Sequence, residues 1–513
     1  MTVRTSRRWL VVTVLAVVLA MVAVACGDDD DSGGNATGAG SSGGKSITIA
    51  LGSEPTSLDP QTVDDGGERA ISDNVYETLL TRTPQGELAP GLATALPKQV
   101  DDTTWEFTLR DGVKFHDGAS FGADDVVASV ERMIKLIKDE KTDQSGFFSS
   151  LTGAKKVDDR TVQITTDGPD GVLPARMYWL KIIPKSAKDK ADLSDDPDGT
   201  GPYKFVEFKH GDHISLEANG DYWDGAPKVG GVTYKFIEEP GTRLAGLLSG
   251  EYDLITNLQP EDVDRAPKSA QVQGQEHPVL ILDADDGITK DVRVRQALNY
   301  AVDKDSLVKD LYGGYAKVDT GQLLSPSILG YNEDLKPYAY DAAKAKDLIS
   351  QAGAAGKPIT IVGTSGRWLK DRELVEAVAG YWKAAGLDVK TNIMEFSAYL
   401  DELFNRSARA DSIYVSSSND ILDADRQLST YYQAGGVGSS NTNKDLSDLI
   451  TQARQTTDTD QRAKLYNEAL KMAYDQAYFV WLVNNQDIYG MSKRLTWTPR
   501  VDAKLLVKEM SVS

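Results

Sequence analysis

The chain has 513 residues, of which 40% are hydrophobic and 26% charged, a composition typical of globular proteins and not of disordered or fibrous ones. At about 150 residues per domain, this length predicts about three structural units. The net charge of -21 argues against binding to a nucleic-acid backbone. The single cysteine excludes an intrachain disulfide, and four histidines with one cysteine exclude zinc fingers.

The N-terminus follows the three-part plan of an export signal. Arg4, Arg7 and Arg8 precede an uncharged apolar run at residues 9–25, which ends in small residues. We therefore predict a signal peptide at residues 1–25, which is removed after export. The alternative is a retained membrane-spanning helix, for which this run is at the short limit of length.

Cys26, the only cysteine, follows the small residues directly and resembles the lipidated cysteine of a bacterial lipoprotein. The resemblance implies a lipid anchor at Cys26 and a location on the extracytoplasmic face of the bacterial cell membrane. Residues 6–10 also resemble a twin-arginine export signal, so the export route is left open. Residues 26–45 are rich in Gly, Ser and Asp and contain little apolar surface, so we predict a flexible linker there.

In the first half of the remaining chain, apolar and polar residues alternate in short segments. This period of two predicts half-buried β-strands at residues 47–51, 105–109, 161–165, 213–217 and 232–236. Residues 124–138 carry one apolar stripe at helical spacing and begin with Asp124 and Asp125, which favour a helix N-terminus. This segment is therefore predicted to be a helix.

The second half of the chain is more helical. Helical spacing predicts helices at residues 292–302, 306–312, 341–352, 369–385, 397–408, 444–456 and 460–475. Two short apolar segments, 359–362 and 389–393, flank the predicted helix 369–385, a pattern that predicts a β-α-β crossover and a parallel strand pair. We therefore predict two α/β lobes, the first richer in strands, which join near residues 277–287.

Five segments, in order along the chain, resemble the motifs of one protein family. They are GSEPTSLDP at residues 52–60, LRDGVKFHDG at 109–118, GTGPYKF at 199–205, NGDYWDGAP at 219–227 and DVRVRQALNYAVD at 291–303. These segments are similar to those of the family 5 extracellular solute-binding proteins, the peptide and dipeptide receptors of ABC importers. A weaker resemblance continues to the C-terminus.

The resemblance implies an α/β fold of the two-lobed periplasmic-binding-protein type (type II, large peptide-binding class), with an extra subdomain in lobe one. The implied bounds are 46–280 for lobe I with a subdomain at about 60–190, 281–484 for lobe II, and 485–513 for a C-terminal return to lobe I. Two chain crossings, near 276–283 and 483–488, would form the hinge. The implied partners of this monomer are a small solute, with a peptide-like one favoured, and the transmembrane permease subunits of an ABC importer.

Enzyme and metal sites are not indicated. None of the histidines adjoins a nucleophile motif, and residues 363–366 lack the ending of a phosphate loop. His210 and His213 flank a Gly-Asp pair typical of a hairpin turn, so metal binding by them is disfavoured. We predict no catalytic residue, no metal site and no cofactor.

In peptide-binding members of the family, an aspartate of the second lobe pairs with the α-amine of the ligand, and Asp420 is the matching residue. Ser417 and Ala424 stand where peptide receptors often have Trp and Pro. The candidate ligand-binding residues are Ser53, Glu54, Pro55, Phe147, Phe148, Arg367, Trp368, Glu395, Phe396, Asn419 and Asp420. A receptor of the same fold for an oligosaccharide, opine or metal chelate, and a surface sensor without a permease, remain as alternatives.

Overall fold

The computed structural model describes residues 44–63, 66–405 and 409–513, apart from the side chain of Ser397. The predicted signal peptide, Cys26 and nearly all of the predicted linker lie outside these residues. Within the described part of the chain, no helix has both the length and the apolar character needed to span a bilayer.

The described strands form two large sheets, a four-stranded sheet and two strand pairs. In chain order they are β1 (Ser46–Leu51), β2 (Leu80–Arg82), β3 (Leu88–Pro90), β4 (Lys98–Asp101), β5 (Thr104–Thr108), β6 (Leu151–Asp158), β7 (Thr161–Thr166), β8 (Tyr203–Lys209), β9 (His213–Ala218), β10 (Gly231–Phe236), β11 (Leu254–Ile255), β12 (Lys268–Gln273), β13 (His277–Leu282), β14 (Ala316–Val318), β15 (Pro358–Thr364), β16 (Asp388–Met394), β17 (Ser412–Ser417), β18 (Phe479–Trp481), β19 (Val483–Met491), β20 (Leu495–Thr496) and β21 (Ser511–Val512). The α-helices of the same residues are α1 (Gly66–Val75), α2 (Ala123–Lys138), α3 (Ser145–Phe148), α4 (Leu173–Arg176), α5 (Pro240–Ser249), α6 (Val292–Tyr300), α7 (Lys304–Ser306), α8 (Ala342–Gln351), α9 (Asp371–Ala384), α10 (Phe396–Phe404), α11 (Asp425–Gln427), α12 (Lys444–Gln455) and α13 (Thr459–Asp475).

The first large sheet has the strand order β12-β19-β11-β1-β10-β9-β8, and β14 also pairs with β19. The central strand β1 lies parallel to β10. The predicted alternation is confirmed on β9, where Ile214 and Leu216 are buried while His213 and Ser215 are only partly covered. β1, β9 and β10 correspond to three of the five predicted strands.

A separate four-stranded sheet, β4-β5-β7-β6, is packed against α2 in the first half of the chain. Its strands β5 and β7 are the other two predicted strands. The apolar stripe of α2 places Val126, Val130 and Met133 in the core with no exposed surface. The helix begins after Gly122, whose N–H donates to Asp125 Oδ2 at 2.9 Å.

The second large sheet has the order β16-β15-β17-β13-β18. β15 and β16 are parallel and are connected by α9, so the predicted crossover is confirmed. Along β13, Val279 and Ile281 pack into one hydrophobic cluster, while Leu280 and Leu282 pack into another. Both faces of this sheet are therefore covered, as expected for an α/β layer structure.

Apart from β14, which pairs with the start of β19, the chain passes between the two large sheets at two points. Residues 274–276 connect β12 of the first sheet to β13 of the second, and Leu482 connects β18 of the second sheet back to β19 of the first. We call the first sheet with the four-stranded subdomain sheet the first lobe, and the second sheet with its helices the second lobe. This arrangement agrees with the predicted two-lobed α/β class.

Two predicted helices differ from the structure in detail. The segment predicted at 306–312 forms α7 and then a π-helical turn at Leu307–Leu311, in which the N–H of Tyr312 donates to the carbonyl of Leu307. Gly313 and Gly314 follow with positive φ angles and end the segment. The helix predicted at 397–408 is α10, which ends at Phe404, and residues 406–408 lie outside the described chain.

Candidate functional site

Ion pairs join the two lobes at one surface, which we call the seam and define by the side chains of Arg69, Arg176, Asp420 and Asp425. Arg69 Nη1 lies 3.1 Å from Asp420 Oδ1, and Arg176 Nη2 lies 3.1 Å from Asp425 Oδ2. The two arginines belong to the first lobe and the two aspartates to the second. The lobes therefore meet through charged groups of opposite sign.

Asp420 lies in the loop that follows β17. Its Oδ1 accepts hydrogen bonds from Ser418 Oγ at 2.9 Å and from Arg69, and its side chain is only 16% exposed. Burial alone would raise the pKa of Asp420, but the nearby charges of Arg69 and Arg426 hold this pKa below its usual value. Asp420 is therefore an ionised carboxylate in a largely desolvated position.

Two aromatic rings of the first lobe support the cations beside Asp420. The Arg69 guanidinium lies 5.1 Å from the ring centroid of Trp179, and the Arg426 guanidinium lies 4.8 Å from that of Phe147. The two ring centroids are 5.8 Å apart. Because cation–π contacts fix the position of a guanidinium group, these rings form an ordered aromatic surface under the charged groups.

Next to this surface, a pocket of about 280 Å³ opens between the lobes. Phe147, Asp170 and Arg176 of the first lobe line one part of it, and Ile421 and Arg426 of the second lobe line another. The pocket combines one aromatic ring with guanidinium, carboxylate and hydroxyl groups. Such a lining can hold a small polar solute with a defined orientation.

Asp425 is the centre of the ion pairs on the second-lobe side of the pocket. Its Oδ1 accepts hydrogen bonds from Arg454 Nε and Ser429 Oγ, both at 2.8 Å, and its Oδ2 accepts from Arg176. Burial alone would raise the pKa of Asp425, but the charges of Arg454 and Arg176 hold it below its usual value. Arg176 is also paired with Asp170, so its charge is compensated from both lobes.

A second cluster of aromatic side chains lies in the second lobe around Trp368. Its ring packs edge-to-face on Phe396, Tyr399 and Tyr414, with centroid distances of 6.0, 5.9 and 5.7 Å. The Arg367 guanidinium lies 5.5 Å from the ring centroids of both Trp368 and Phe396. The predicted residues Arg367, Trp368 and Phe396 are thus brought together.

Glu276, in the first chain crossing, links this aromatic cluster to the seam electrostatically. Its carboxylate accepts a hydrogen bond from Ser416 Oγ at 3.2 Å. Burial raises the pKa of Glu276, the charge of Arg367 opposes this rise, and the charge of Asp420 adds to it. Arg367 and Asp420 therefore act on one carboxylate between the lobes.

Comparison with known proteins identifies the family. The family described as bacterial extracellular solute-binding proteins, family 5, middle region, matches residues 87–439. The chain belongs to this family. The matched segment includes Phe147 of the aromatic surface and both aspartates of the seam.

Several known proteins are similar to this family 5 chain along most of its length. The dipeptide-binding protein of Escherichia coli (strain K12) is 29% identical over 475 residues, covering 84% of this chain and 88% of the relative. The glutathione-binding protein GsiB of Pectobacterium atrosepticum is 27% identical over 471 residues, covering 88% and 91%. The solved structure of the periplasmic binding protein DppA from Helicobacter pylori, in complex with the peptide STSA, has a TM-score of 0.76 and 27% identity, covering 91% and 98%. The predicted family and fold class are confirmed, and these relatives are named as binding proteins.

Three predicted contact residues of this family 5 protein follow β1. Ser53 is exposed and Pro55 is buried. Both carboxylate oxygens of Glu54 face the β8–β9 turn, with Oε1 2.9 Å from His210 Nδ1 and Oε2 accepting from the Gly211 N–H at 2.8 Å. Glu54 is thus engaged with this turn. The ligand-binding roles of Ser53, Glu54 and Pro55 stay predictions. His210 takes part in this contact through its Nδ1. Within the described residues, no group of three His, Cys, Asp or Glu side chains is placed to hold a metal.

Three other predicted residues have local roles or lie apart from the seam. Phe148 is fully buried in the core of the four-stranded subdomain. Asn419 is 1% exposed, and its Nδ2 donates to the carbonyl of Asp423 at 2.9 Å, which fixes the loop that carries Asp420. Glu395 is exposed at the start of α10. Of the predicted set, Asp420 is part of the seam, and Phe147 lies beside it through its ring contact with Arg426.

Arg69, Arg176 and Arg426 of the site were not predicted from the sequence. Arg426 directly follows a stretch with three acidic residues. This change from negative to positive charge was the one signal in the sequence that could have pointed to Arg426. Arg69 and Arg176 gave none, because their partners lie 351 and 249 positions away. Only the fold brings these charges together.

Proposed function

We propose that this protein is a lipid-anchored, extracytoplasmic substrate-binding protein of an ABC importer that captures a peptide or peptide-like solute between its lobes. The observation that carries the proposal is the largely buried Asp420, paired with Arg69, together with the rings of Trp179 and Phe147 that pack against Arg69 and Arg426. Family membership and relatives named for dipeptide and glutathione binding support it.

An α-amine is a cation that can replace Arg69 as the partner of Asp420. A desolvated carboxylate is costly without a cation, so an exchange of one cation for another keeps the charge compensated. The rings of Phe147 and Trp179 then offer apolar surface to the body of the solute. An extended peptide would add main-chain hydrogen bonds to these contacts.

Binding and release follow from the division into two lobes. A solute that contacts Asp420 on one lobe and Phe147 on the other favours the state in which the seam is formed. Release into a permease requires the opposite motion, in which the lobes separate about the crossings at 274–276 and Leu482. The same protein can therefore hold a solute and deliver it without chemical change.

The domain bounds and the site remain part of this proposal. The sheet changes at 274–276 and Leu482 support a division near the predicted bounds of 46–280 with 485–513 for lobe I and 281–484 for lobe II. We keep the eleven predicted ligand contacts and add Arg69 and Arg426. Cys26 is the proposed anchor, and the protein is proposed to act as a monomer.

A solute without an amine is the second candidate. Arg69 already compensates Asp420 in this structure, so a bound solute need not supply a cation there. An oligosaccharide, opine or metal chelate would then occupy the cleft through the aromatic rings and hydroxyl groups.

The test is calorimetric titration of the full-length protein, purified in detergent from a bacterial host that processes lipoproteins. The probes are a pool of di- and tripeptides, the same pool with N-acetylated amines, and separate pools of oligosaccharides and metal chelates. We expect the free peptides to bind. Loss of the charged partner in Asp420→Asn should weaken their binding about 10- to 100-fold.

The matched control is Asp448→Asn, which removes an exposed carboxylate from α12 of the same lobe. It should leave peptide affinity unchanged. Equal affinity for acetylated and free peptides would reject the role of Asp420. Tight binding of a sugar or chelate with no peptide binding would replace the proposed function by the second candidate.

A further inference from the structure

Two carboxylates next to the chain crossings have no cationic partner within the described chain. Glu276 lies in the first crossing, and Asp487 lies on β19, which follows the second crossing at Leu482. Both residues are partly exposed. Neither takes part in an ion pair of the described residues. We call Glu276 and Asp487 the hinge acids.

The hinge acids lie close to each other. A Cβ at Gly274 would lie 3.0 Å from Asp487 Oδ1, so the carboxylate of Asp487 packs against the crossing two residues before Glu276. Burial raises the pKa of Asp487 to about 7, and the charge of Glu276 adds to this rise. Two neighbouring carboxylates are costly to ionise without a cation, so a bound cation would stabilise the pair.

Two basic groups whose charges act on the first of the hinge acids are engaged with other side chains. The Arg367 guanidinium packs on the rings of Trp368 and Phe396. His277 Nδ1 lies 2.7 Å from Asp319 Oδ2. Neither basic group is therefore in direct contact with a hinge acid.

Asn485 adds an independent sign of a bound group at this place. Its side chain is 3% exposed, yet neither Oδ1 nor Nδ2 has a hydrogen-bond partner among the described residues. Its N–H donates to the carbonyl of Glu276 at 3.1 Å, so Asn485 lies against the crossing. Asn485 and Asp487 are two positions apart on β19 and project from the same face of the strand. A buried amide without partners is costly, and a bound solute would supply them.

The chemistry of these three side chains favours an organic cation. The ionised carboxylates of the hinge acids only accept hydrogen bonds, and Asn485 offers an amide oxygen as a further acceptor. A lysine ammonium brings three donors and an arginine guanidinium five, each with a positive charge. An anion would be repelled, and an apolar group would leave the acceptors unpaired. A metal ion is disfavoured, because no three His, Cys, Asp or Glu side chains of the described chain are placed to hold one.

We propose that Glu276, Asn485 and Asp487 bind a basic side chain of the solute. The proposal rests on the proposed function and deepens it, because it makes solutes that contain lysine or arginine the preferred cargo. Glu276 also accepts a hydrogen bond from Ser416 of the second lobe, so the basic side chain is held where the lobes meet. The net charge of -21 favours the approach of such a cationic solute.

The test compares tripeptides that differ by one charge. Lysine stands in the second or third position among alanines, and each lysine peptide has a match with norleucine, whose side chain keeps the four carbons without the ammonium group. Binding to the full-length protein in detergent is measured by calorimetry at fixed pH and salt. We expect at least one lysine peptide to bind about 10- to 100-fold more tightly than its match, because only lysine forms charge-assisted hydrogen bonds.

Variants assign this preference to the hinge acids. Asp487→Asn and Glu276→Gln should each reduce the preference for lysine about 5- to 10-fold, and the double variant should remove it. All three should bind the norleucine peptides as the wild type does. The control Asp448→Asn, which removes an exposed carboxylate from α12, should keep the full preference. Circular dichroism at matched concentration verifies that each variant is folded.

Three results would overturn the proposal. Equal affinity of the wild type for lysine and norleucine peptides would mean that no basic side chain is recognised, while the proposed function would stand because peptides bind. A preference for lysine that persists in the double variant would place the cation elsewhere. Equal weakening of both peptide series in the double variant would mean that the hinge acids hold the α-amine. If no peptide of either series binds, the proposed function fails, and the proposal fails with it.

Discussion

The interior of each lobe and the seam between the lobes are built from different groups. Inside the second lobe, clusters of Leu, Ile, Val and aromatic side chains cover both faces of the sheet. At the seam, the ion pairs of Arg69 with Asp420 and of Arg176 with Asp425 join the lobes, and one apolar side chain of the second lobe, Ile421, packs into the first-lobe core. The apolar packing inside each lobe is lost only when that lobe unfolds, whereas separated charges at the seam are solvated by water. The lobes can therefore part while each remains folded.

The largest effect is expected inside a lobe, from Trp382→Ala. Trp382 is fully buried, and its Nε1 donates to the carbonyl of Leu298 at 3.1 Å. Removing the ring leaves a cavity and an unpaired carbonyl, which should lower the free energy of unfolding by about 3–5 kcal/mol. Urea unfolding followed by circular dichroism measures this change. Tyr340→Ala, at a position 49% exposed, is the control and should cost much less.

At the seam, Asp425→Asn should act on lobe closure and much less on unfolding. The variant leaves Arg176 and Arg454 facing each other without their shared carboxylate, which should disfavour the closed state by about 2–3 kcal/mol. Small-angle X-ray scattering should record a larger radius of gyration than for the wild type. The urea midpoint should move far less than in Trp382→Ala.

Asp448→Asn is the matched control for this seam variant, because it removes an exposed carboxylate of the same lobe. It should change neither the radius of gyration nor the urea midpoint. If Asp425→Asn lost much unfolding free energy while its radius of gyration stayed unchanged, the seam would contribute to the stability of the fold and not to lobe closure. That result would contradict the distinction drawn between lobe interior and seam.

Gly171→Ala tests the seam by steric means. A Cβ at this first-lobe position would meet the carbonyl oxygen of Thr456 and the guanidinium of Arg462, both of the second lobe. The N–H of Gly171 also donates across the seam to the carbonyl of Arg454 at 2.9 Å. The added methyl group should cost the closed state about 1–3 kcal/mol and weaken solute binding about tenfold.

Gly220→Ala provides the comparison for the steric test, since a Cβ there meets no atom within 4 Å. It should leave solute affinity and stability close to the wild type. Unchanged affinity in Gly171→Ala would mean that the solute does not require the closed seam.

The same contrast explains how much of the molecule could be predicted from its sequence. Lobe interiors depend on local periodicity, so the alternation along β9 and the apolar stripe of α2 were sufficient to predict them. Asp420 could be predicted because it belongs to a motif of the family. Arg69 could not, because its role depends on a partner 351 positions away that no local pattern records. The bond between Glu54 and the β8–β9 turn was missed for the same reason.

The smallest expected effect is on the pH dependence of stability, through Asp487 near the crossing at Leu482. Asp487 lies on β19, five residues after the crossing at Leu482, and is only partly exposed. Burial raises the pKa of Asp487 from 3.8 to about 7, and the charge of Glu276 adds to this rise. Between these two values the folded protein holds a proton that the unfolded chain releases. Asp487 therefore makes the protein less stable as pH rises from about 4 to about 7.

Asp487→Asn removes this titrating group and should flatten the decline in stability between about pH 4 and pH 7. The seam has the opposite sign, because the pKa values of Asp420 and Asp425 are lowered and their contribution is lost as pH falls below about 4. Urea unfolding of Asp487→Asn and wild type at pH 4, 5.5 and 7 measures the slope, with Asp448→Asn as the control. If the unfolding free energy changed with pH at the same slope in all three proteins, Asp487 would be ionised in the folded state. The pH dependence would then come from the seam aspartates.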